Sequence, residues 1–309
     1  MIASFLIILR ELSTVFFLIL LGFLGGKAGL ISRDASDSMA GILFWYVTPA
    51  TAVVSLQRSF NPEMLKGFLS CCLIAVVYYT TAILVVRFTV REKAAERRSV
   101  LRICSVFSNL GMLALPLQMQ LFGSDGAFYG MAFITVSNLI FWSYGALVMN
   151  GGKGGLPWRR MFLNPGLLGS LTGFLLFIRS VELPALLNRS LSSVSQLMLP
   201  LGMLVIGQRL AEISFRSLLD DRAAWLAAFR RLLLFPALVL LALSLTKLRG
   251  TAPICAAIGY CAPAASSVSI LAIQYRQDVD LAVKSVSLQM VLSLVTMPIL
   301  IALAYTLLA

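Results

Sequence analysis

The chain has 309 residues, of which 59% are hydrophobic and 12% are charged, whereas soluble globular domains carry about 25% charged residues. This composition excludes an ordinary soluble domain and predicts a single integral membrane domain. The net charge of +12 is spread over loops and helix ends, which favours topology signals and contact with anionic membrane lipids over a nucleic-acid partner.

Ten segments approach the roughly 20 apolar residues that a transmembrane helix needs, which predicts an all-α membrane protein with ten transmembrane helices. Residues 1–9 lack the features of a cleaved signal and are expected to form an interfacial lead-in. Phe215 to Phe229 are either a surface helix or the beginning of the eighth span. The ten segments are about Leu12–Leu30, Ser38–Leu56, Gly67–Val90, Val100–Gln120, Ala127–Met149, Met161–Arg179, Leu191–Leu210, Arg231–Lys247, Ala252–Tyr275 and Leu281–Leu308.

Lysine and arginine predict how these segments are oriented, because positively charged loops tend to stay in the cytoplasm. One set of alternate loops holds sixteen of these residues and the other set, with the N-terminal tail, holds seven. Arg230 and Arg231, at the expected start of the eighth helix, would join the first set. The counts predict a multi-pass protein of the cell membrane with both termini on the non-cytoplasmic side.

Three landmarks recur along the chain in the same order. Gly22-Phe23-Leu24 returns as Gly173-Phe174-Leu175 after 151 residues, Pro49 returns as Pro200 after 151, and Pro116 as Pro263 after 147. This spacing predicts two homologous halves of five helices, residues 1–150 and 151–309. Because five is odd, the second half must enter the membrane inverted.

Two apolar segments, the fourth and the ninth, contain polar and helix-breaking interruptions: Ser108 to Pro116 and Tyr260 to Ser267. Unwound backbone persists at membrane depth only where protein or a wet cavity satisfies it. A pair of broken helices in equivalent halves is a pointer to the substrate site of a transporter. We expect Pro116 and Pro263 to force the two breaks.

The residues around these breaks form the candidate substrate site. Asn109, flanked by Ser108 and Gly111, can either orient a substrate or cap a helix. Ser266 and Ser267 have the complementary place in the ninth helix, where packing is an equal alternative. Asn138 either lines the cavity or makes an interhelical hydrogen bond, and the same alternatives hold for Thr135 and Gln289, with the hydrogen bond favoured. The N-terminus of each half-helix would attract a carboxylate.

Missing residue types narrow the chemistry. The sequence contains no histidine, and its 13 acidic residues all map to loops or helix ends. We therefore expect no metal site, no cofactor and no enzymatic activity, because nothing resembles a catalytic constellation. Proton-coupled pumps usually keep an ionisable residue inside the membrane, and none is expected here. Sodium coupling stays open, since carbonyl and hydroxyl oxygens can ligate Na⁺.

The succession of motifs resembles the auxin efflux carrier family, which includes bacterial permeases and the plant PIN auxin exporters. The likeness spans nearly the whole chain. The motifs that carry it are Thr48-Pro49-Ala50, Ser108-Asn109-Leu110-Gly111 through Leu115-Pro116, Asn164-Pro165, Leu199-Pro200-Leu201 through Ile206-Gly207, Ala262-Pro263-Ala264 and Ser287 to Pro298.

This resemblance implies two inverted five-helix repeats whose fourth and ninth helices cross as broken helices, as in bile-acid symporters and NhaA-type antiporters. It also allows a homodimer. Two features depart from the family: the first crossover reads Asn-Leu-Gly where members often have Asn-Thr-Gly, and no long hydrophilic loop follows the fifth helix.

The expected function is a secondary transporter that moves a small organic anion, such as a carboxylate or an auxin-like compound, by alternating access. Membrane-potential-driven efflux is the expected mode, because a monovalent anion leaving a cell at −100 mV gains about 2.3 kcal/mol. The alternative is a sodium-coupled organic anion symporter of the same fold. A channel is the further alternative, which saturable flux and counterflow would separate from a carrier.

Overall fold

The computed structural model describes the backbone of residues 2–152, 158–213, 220–246 and 248–308, and the side chains of these residues except 2–12 and 160. Every regular element in these ranges is helical, and one isolated β-bridge accompanies them, which confirms the expected all-α class. The helices are α1 Ile2–Lys27, α2 Arg33–Ile42, α3 Thr48–Leu56, α4 Pro62–Thr89, α5 Ala95–Val106, α6 Leu115–Ile140, α7 Ala146–Met149, α8 Trp158–Phe162, α9 Pro165–Arg179, α10 Ala185–Ser195, α11 Met198–Ala211, α12 Arg222–Phe229, α13 Phe235–Leu245, α14 Thr251–Cys261, α15 Ser267–Gln274 and α16 Val279–Leu308.

Four π turns also occur within the described ranges, at Leu43–Val47, Leu110–Ala114, Phe141–Gly145 and Arg230–Leu234. A π turn has one more residue between hydrogen-bonded groups than an α turn has, and such turns are frequent at functional sites. Two of these four, Leu110–Ala114 and Arg230–Leu234, belong to the region of broken helices described below.

Six helical runs in the described residues are long and apolar enough to cross a membrane, and three shorter apolar helices accompany them. Large apolar side chains on these runs are exposed on the protein surface, for example Leu73 at 64% and Val295 at 66%. Exposed leucine and valine at this density need lipid around them, so the chain is an integral membrane protein. The six runs are Arg33–Leu56, Pro62–Thr89, Leu110–Met149, Ala185–Ala211, Arg222–Leu245 and Val279–Leu308.

The chain divides into two compact units. The first unit consists of Met1–Cys72, Gly111–Thr135 and Phe162–Ile213. Within it α1 packs on α11, and a Cβ at Gly22 would lie 2.8 Å from the Cα atom of Leu204. Likewise α9 packs on α3, where a Cβ at Gly173 would lie 2.8 Å from the Ala52 carbonyl oxygen. Helices in lipid associate closely where small residues face each other, and these glycines bring the backbones into contact.

A sharp turn at Gly123 divides α6 within the same unit. Its φ of 57° and ψ of −132° lie in a region that favours glycine, and a Cβ at Gly126 would collide with the Gln118 carbonyl group. The ion pair between Arg58 and Asp125, at 2.5 Å, lies at this turn. The turn falls between the fourth and fifth segments predicted from the sequence.

The second unit consists of Leu73–Leu110, Val136–Met161 and Ser214–Ala309. Arg97 at the start of α5 joins two other helix starts in this unit, because it pairs with Asp221 at 2.7 Å and with Asp278 at 3.2 Å. Asp221 caps α12 by accepting from the Ala223 amide at 2.9 Å. Partial burial acts to raise the pKa of the Asp221 carboxyl, but the bonds from Arg97 and the Ala223 amide outweigh it, so this pKa lies below its ordinary value.

Candidate functional site

The first interruption lies at residues 107–109, between α5 and the π turn Leu110–Ala114. Phe107 is extended, with φ −94° and ψ 121°. The sequence places the break near Gly111 and Pro116, but helical structure has already resumed at Leu110. Pro116 is the second residue of α6, and the wider π turn before it accommodates a residue that has no N–H to donate.

The second interruption separates α14 from α15. It begins with Ala262, which is extended at φ −68° and ψ 149°, and it includes Pro263. α15 begins at Ser267. Pro263 therefore lies inside the unwound stretch, where it has no N–H that would need a partner.

The two unwound stretches pair with each other inside the second unit. Ser108 and Ala264 form an isolated antiparallel bridge. The backbone amide of Asn109 donates to the Pro263 carbonyl at 2.7 Å, and the backbone amide of Ala265 donates to the Phe107 carbonyl at 3.0 Å. This short pairing satisfies backbone groups that hydrocarbon could not, which explains how both helices can be broken in one place.

Gln289 of α16 stabilises the place where the two unwound stretches pair, residues 107–109 and 262–265, which we call the junction. Its side-chain Oε1 accepts from the Ala264 amide at 2.9 Å, and its Nε2 donates to the Cys104 carbonyl at 3.3 Å. The side chain is fully buried at 0% exposure. The interhelical role favoured for Gln289 in the sequence is the one it has, because one amide bridges the backbones of α5 and the second break.

Arg231 lies at the centre of this junction, although the sequence places it at a membrane boundary. It is in the π turn Arg230–Leu234 and is fully buried at 0% exposure. Its Nε donates to the Ala262 carbonyl and its Nη2 to the Tyr260 carbonyl, both at 2.9 Å. Its Nη1 donates to the Val106 carbonyl at 3.2 Å and to the Tyr78 hydroxyl.

These acceptors explain how a buried guanidinium is tolerated. Val106 ends α5, and Tyr260 and Ala262 lie at the end of α14, so the carbonyls at the C-termini of both half-helices point at one cation. Helix C-termini carry about half a negative charge, which a guanidinium offsets. None of the ion pairs within the described residues involves Arg231. The helix ends therefore supply its negative counterpart.

Aromatic rings enclose this cation. Tyr78 stacks on Tyr260 with ring centroids 3.8 Å apart, and the Arg231 guanidinium lies 5.7 Å from the centre of the Tyr78 ring. Tyr79 stacks on Phe107 at 5.2 Å and donates its hydroxyl proton to Ser137 at 2.7 Å. The rings exclude lipid and water from the guanidinium, which strengthens its hydrogen bonds.

The structure brings most of the predicted site residues into the second unit. Ser108 and Asn109 are buried in the first break, at 3% and 5% exposure. Ser266 and Ser267 lie half-buried at the start of α15, and Asn138 is half-buried in α6. Gly111 and Pro116 belong to the first unit, because the boundary between the units falls between Leu110 and Gly111.

Cysteine and acidic side chains do not cluster in the described part of the chain. No group of three or more His, Cys, Asp or Glu side chains there could hold a metal ion. What the junction offers instead is hydroxyl groups, the two buried amide side chains of Asn109 and Gln289, helix ends and a fixed cation. Such groups bind and orient a solute without reacting with it.

Comparison with known proteins adds to this geometry. The model of a family described as membrane transport protein matches residues 7–301. The chain belongs to this family of membrane transport proteins. An uncharacterized transporter of Methanothermobacter thermautotrophicus (strain ATCC 29096 / DSM 1053 / JCM 10044 / NBRC 100330 / Delta H) is 26% identical over 296 residues, which cover 93% of this chain and 95% of that protein. The resemblance to auxin efflux carriers is thereby confirmed, and the chain is a transport protein and not an enzyme.

For this membrane transport protein, sequence reasoning missed two features of the junction: Arg231 and the tyrosine pair Tyr78 and Tyr79. A signal for Arg231 was present, since an arginine inside a helical run of 24 residues is costly in lipid and usually functional. That signal was lost because the eighth span was predicted to begin at Arg231, whereas the helical run begins at Arg222. The tyrosines gave no comparable signal, as they are common at membrane interfaces.

Proposed function

We propose that this membrane transport protein is a secondary carrier that moves a small organic anion, such as a carboxylate or an auxin-like compound, by alternating access. The observation that carries the proposal is the antiparallel pairing of two broken helices at Ser108 and Ala264. In transporters, discontinuous helices form the substrate site near the middle of the membrane. The family match supports transport and leaves the substrate to be tested.

An anion is the substrate class that these groups favour. α15 starts beside the break, and the N-terminus of a helix attracts negative charge through its amide groups. Ser266 and Ser267 can add hydroxyl donors there, and Asn109 can donate from its side-chain amide. We propose that Ser108, Asn109, Asn138, Ser266 and Ser267, all in the second unit, line the substrate path.

Arg231 supports potential-driven efflux over sodium coupling. A bound Na⁺ would seek carbonyl oxygens at helix ends, but Arg231 already engages the Tyr260, Ala262 and Val106 carbonyls. A fixed cation then supplies permanently the positive charge that a coupling ion would bring to these helix ends in each transport cycle. Efflux of a monovalent anion needs no such ion, because a potential of −100 mV supports about a forty-fold gradient.

We further propose that the ten predicted spans form two inverted repeats, residues 1–150 and 151–309, with both termini outside. Gly22 of α1 packs on α11, and Gly173 of α9, the residue 151 positions later, packs on α3. Equivalent glycines thus make equivalent contacts in the first unit. Each compact unit contains chain from both halves, as intertwined repeats would produce.

Transport by purified protein in liposomes tests the function. The wild type, loaded with a panel of labelled carboxylates that includes an indole carboxylate, should release one of them faster when the membrane potential is outward-driving for anions. Asn109→Ala should lower that rate by about ten-fold or more while the apparent melting temperature stays near that of the wild type. The matched control is Asn188→Ala, because Asn188 is exposed on α10.

Several outcomes would count against the proposal. Equal rates for Asn109→Ala and wild type would remove Asn109 from the site. A rate that requires an imposed Na⁺ gradient would identify the sodium-coupled symporter. Flux that neither saturates nor shows counterflow would identify a channel.

A further inference from the structure

A surface cavity of about 690 Å³ lies in the second unit, and none of its lining residues belongs to the junction of the broken helices. It is formed by the end of α4, the connection to α5, the first two turns of α5 and the α6–α7 region around Tyr144 and Val148. Its volume falls within the range of about 300–1,000 Å³ that is typical of ligand pockets. Five cationic side chains line it: Arg87, Arg91, Lys93, Arg98 and Arg102.

One carboxylate lies among the five cations of this basic cavity. The one carboxylate in the lining is Glu92, and its Oε2 lies 3.9 Å from Arg97, which is outside the lining. The five lining cations form no ion pair with any carboxylate of the described residues. Five cations with a single carboxylate among them repel one another, so the arrangement favours a bound anion.

Backbone carbonyls orient the arginines. Arg98 donates to the Glu92 carbonyl at 3.0 Å, Arg102 donates through Nη2 to the Arg87 carbonyl at 3.3 Å, and Arg91 donates to the Phe88 carbonyl at 3.3 Å. These bonds use one or two donors of each guanidinium, which has five. The Nε of Arg102 is buried and has no hydrogen-bond partner in the described part of the protein. Donors therefore remain for a ligand.

The level of the cavity in the membrane favours a phosphate group as its ligand. α4 has 28 residues, so it is about 42 Å long and exceeds the hydrocarbon thickness of about 30 Å. Arg87, in its last turn, then lies at the level of the lipid headgroups. Tyr144 in the lining has the amphipathic ring that is enriched at this level. Five positive charges also exceed what one monocarboxylate can balance, whereas phosphate offers several acceptor oxygens that match guanidinium groups.

We propose that this basic cavity is a binding site for a phosphate group, carried either by the headgroup of an anionic phospholipid or by a soluble phosphate. Basic pockets between transmembrane helices bind anionic headgroups in this way. The site is separate from the substrate junction and does not depend on the transported anion. It would hold the ends of α4, α5 and α7 together through the ligand.

Binding measured on purified protein tests this site. The lipid arm uses native mass spectrometry with added phosphatidylglycerol or phosphatidylcholine, and the soluble arm uses inorganic phosphate at constant ionic strength in a thermal-shift assay. The variant is Arg87→Gln/Lys93→Gln, because both side chains are exposed and neither makes a side-chain hydrogen bond within the described residues. The control is Arg222→Gln/Arg276→Gln, which removes two exposed arginines of the same unit that do not line the cavity.

We expect the cavity variant to bind about thirty-fold more weakly and the control variant to stay within two-fold of wild type, since each cation near a headgroup contributes about a five-fold factor. Loss in the lipid arm alone assigns a phospholipid, and loss in the soluble arm alone assigns a soluble phosphate. If the cavity variant does not fold, the single change Arg91→Gln should weaken binding about five-fold.

Two results would overturn the proposal. One is wild-type protein that binds phosphatidylglycerol no better than phosphatidylcholine and does not respond to phosphate. The other is equal weakening in the cavity and control variants. Neither result bears on anion transport, and a carrier that moves none of the tested carboxylates would leave this binding unchanged.

Discussion

In the first unit, helices meet through glycines whose hydrogens face the backbone of a neighbour, as at Gly22 and Gly207. In the second unit, helices meet through hydrogen bonds to unwound backbone, with Arg231 and Gln289 as the donors and acceptors. The glycine contacts involve no polar side chain and leave no group that a solute could engage. The hydrogen-bonded junction contains buried polar groups beside the half-buried hydroxyls of Ser266 and Ser267, and this is where we propose that a solute is recognised.

Removing the Arg231 cation from the junction is the strongest test of this difference between the two units. Arg231→Met should destabilise the protein by about 3–5 kcal/mol, because the carbonyls of both half-helices lose a buried partner. The apparent melting temperature in detergent should fall by about 10 °C. Arg230→Met is the matched control, since Arg230 is half-buried and donates to a carbonyl of α4 at 3.0 Å. Equal shifts for the two variants would show that Arg231 is not the special member of the pair.

A side chain introduced into the glycine contact tests the first unit. Gly207→Ala should cost about 1–3 kcal/mol by overpacking, because its Cβ would lie 2.6 Å from the Phe23 amide nitrogen. The control Gly41→Ala meets no described atom within 4 Å and should be neutral or slightly stabilising. The melting temperatures of the two variants measure this difference in stability. If Gly207→Ala melts like Gly41→Ala, close backbone contact does not hold the first unit together.

A smaller effect is expected at the ion cluster of the second unit. The lowered pKa of Asp221 means that its pairing contributes stability above the unfolded pKa of about 3.9, and that this contribution is lost as pH falls through the folded value. At pH 7, Asp221→Asn should cost about 0.2–1 kcal/mol, because the pair is partly exposed. The difference between wild type and variant should shrink as the pH falls below about 4. Melting temperatures from pH 7 down to pH 3 measure it, and a difference that is constant with pH would refute the charge pairing.

Much of the fold could be predicted from the sequence. Hydropathy indicated the membrane class, and the turn at Gly123 falls where two apolar segments were separated. The motif succession indicated the family. These features are local or depend on chain-wide composition, so they can be recognised without knowledge of tertiary contacts.

The position of the first break and the role of Arg231 could not be predicted in the same way. Phe107 and Ser108 are not helix breakers, and they are extended because they pair with Ala264 and Ala265, more than 150 residues away. Arg231 is tolerated in the interior because two helix ends converge on it. Both outcomes depend on partners that only the folded chain brings together.

The π turn at Arg230–Leu234 affects how the helical run Arg222–Leu245 should be drawn. One additional residue advances a helix by about 100°, so the lipid-facing stripes before and after the turn fall out of phase with each other. A helical wheel continued through the whole run Arg222–Leu245 would assign the wrong face to one end of it. Two wheels, divided at Arg230, describe which side chains face lipid on this span.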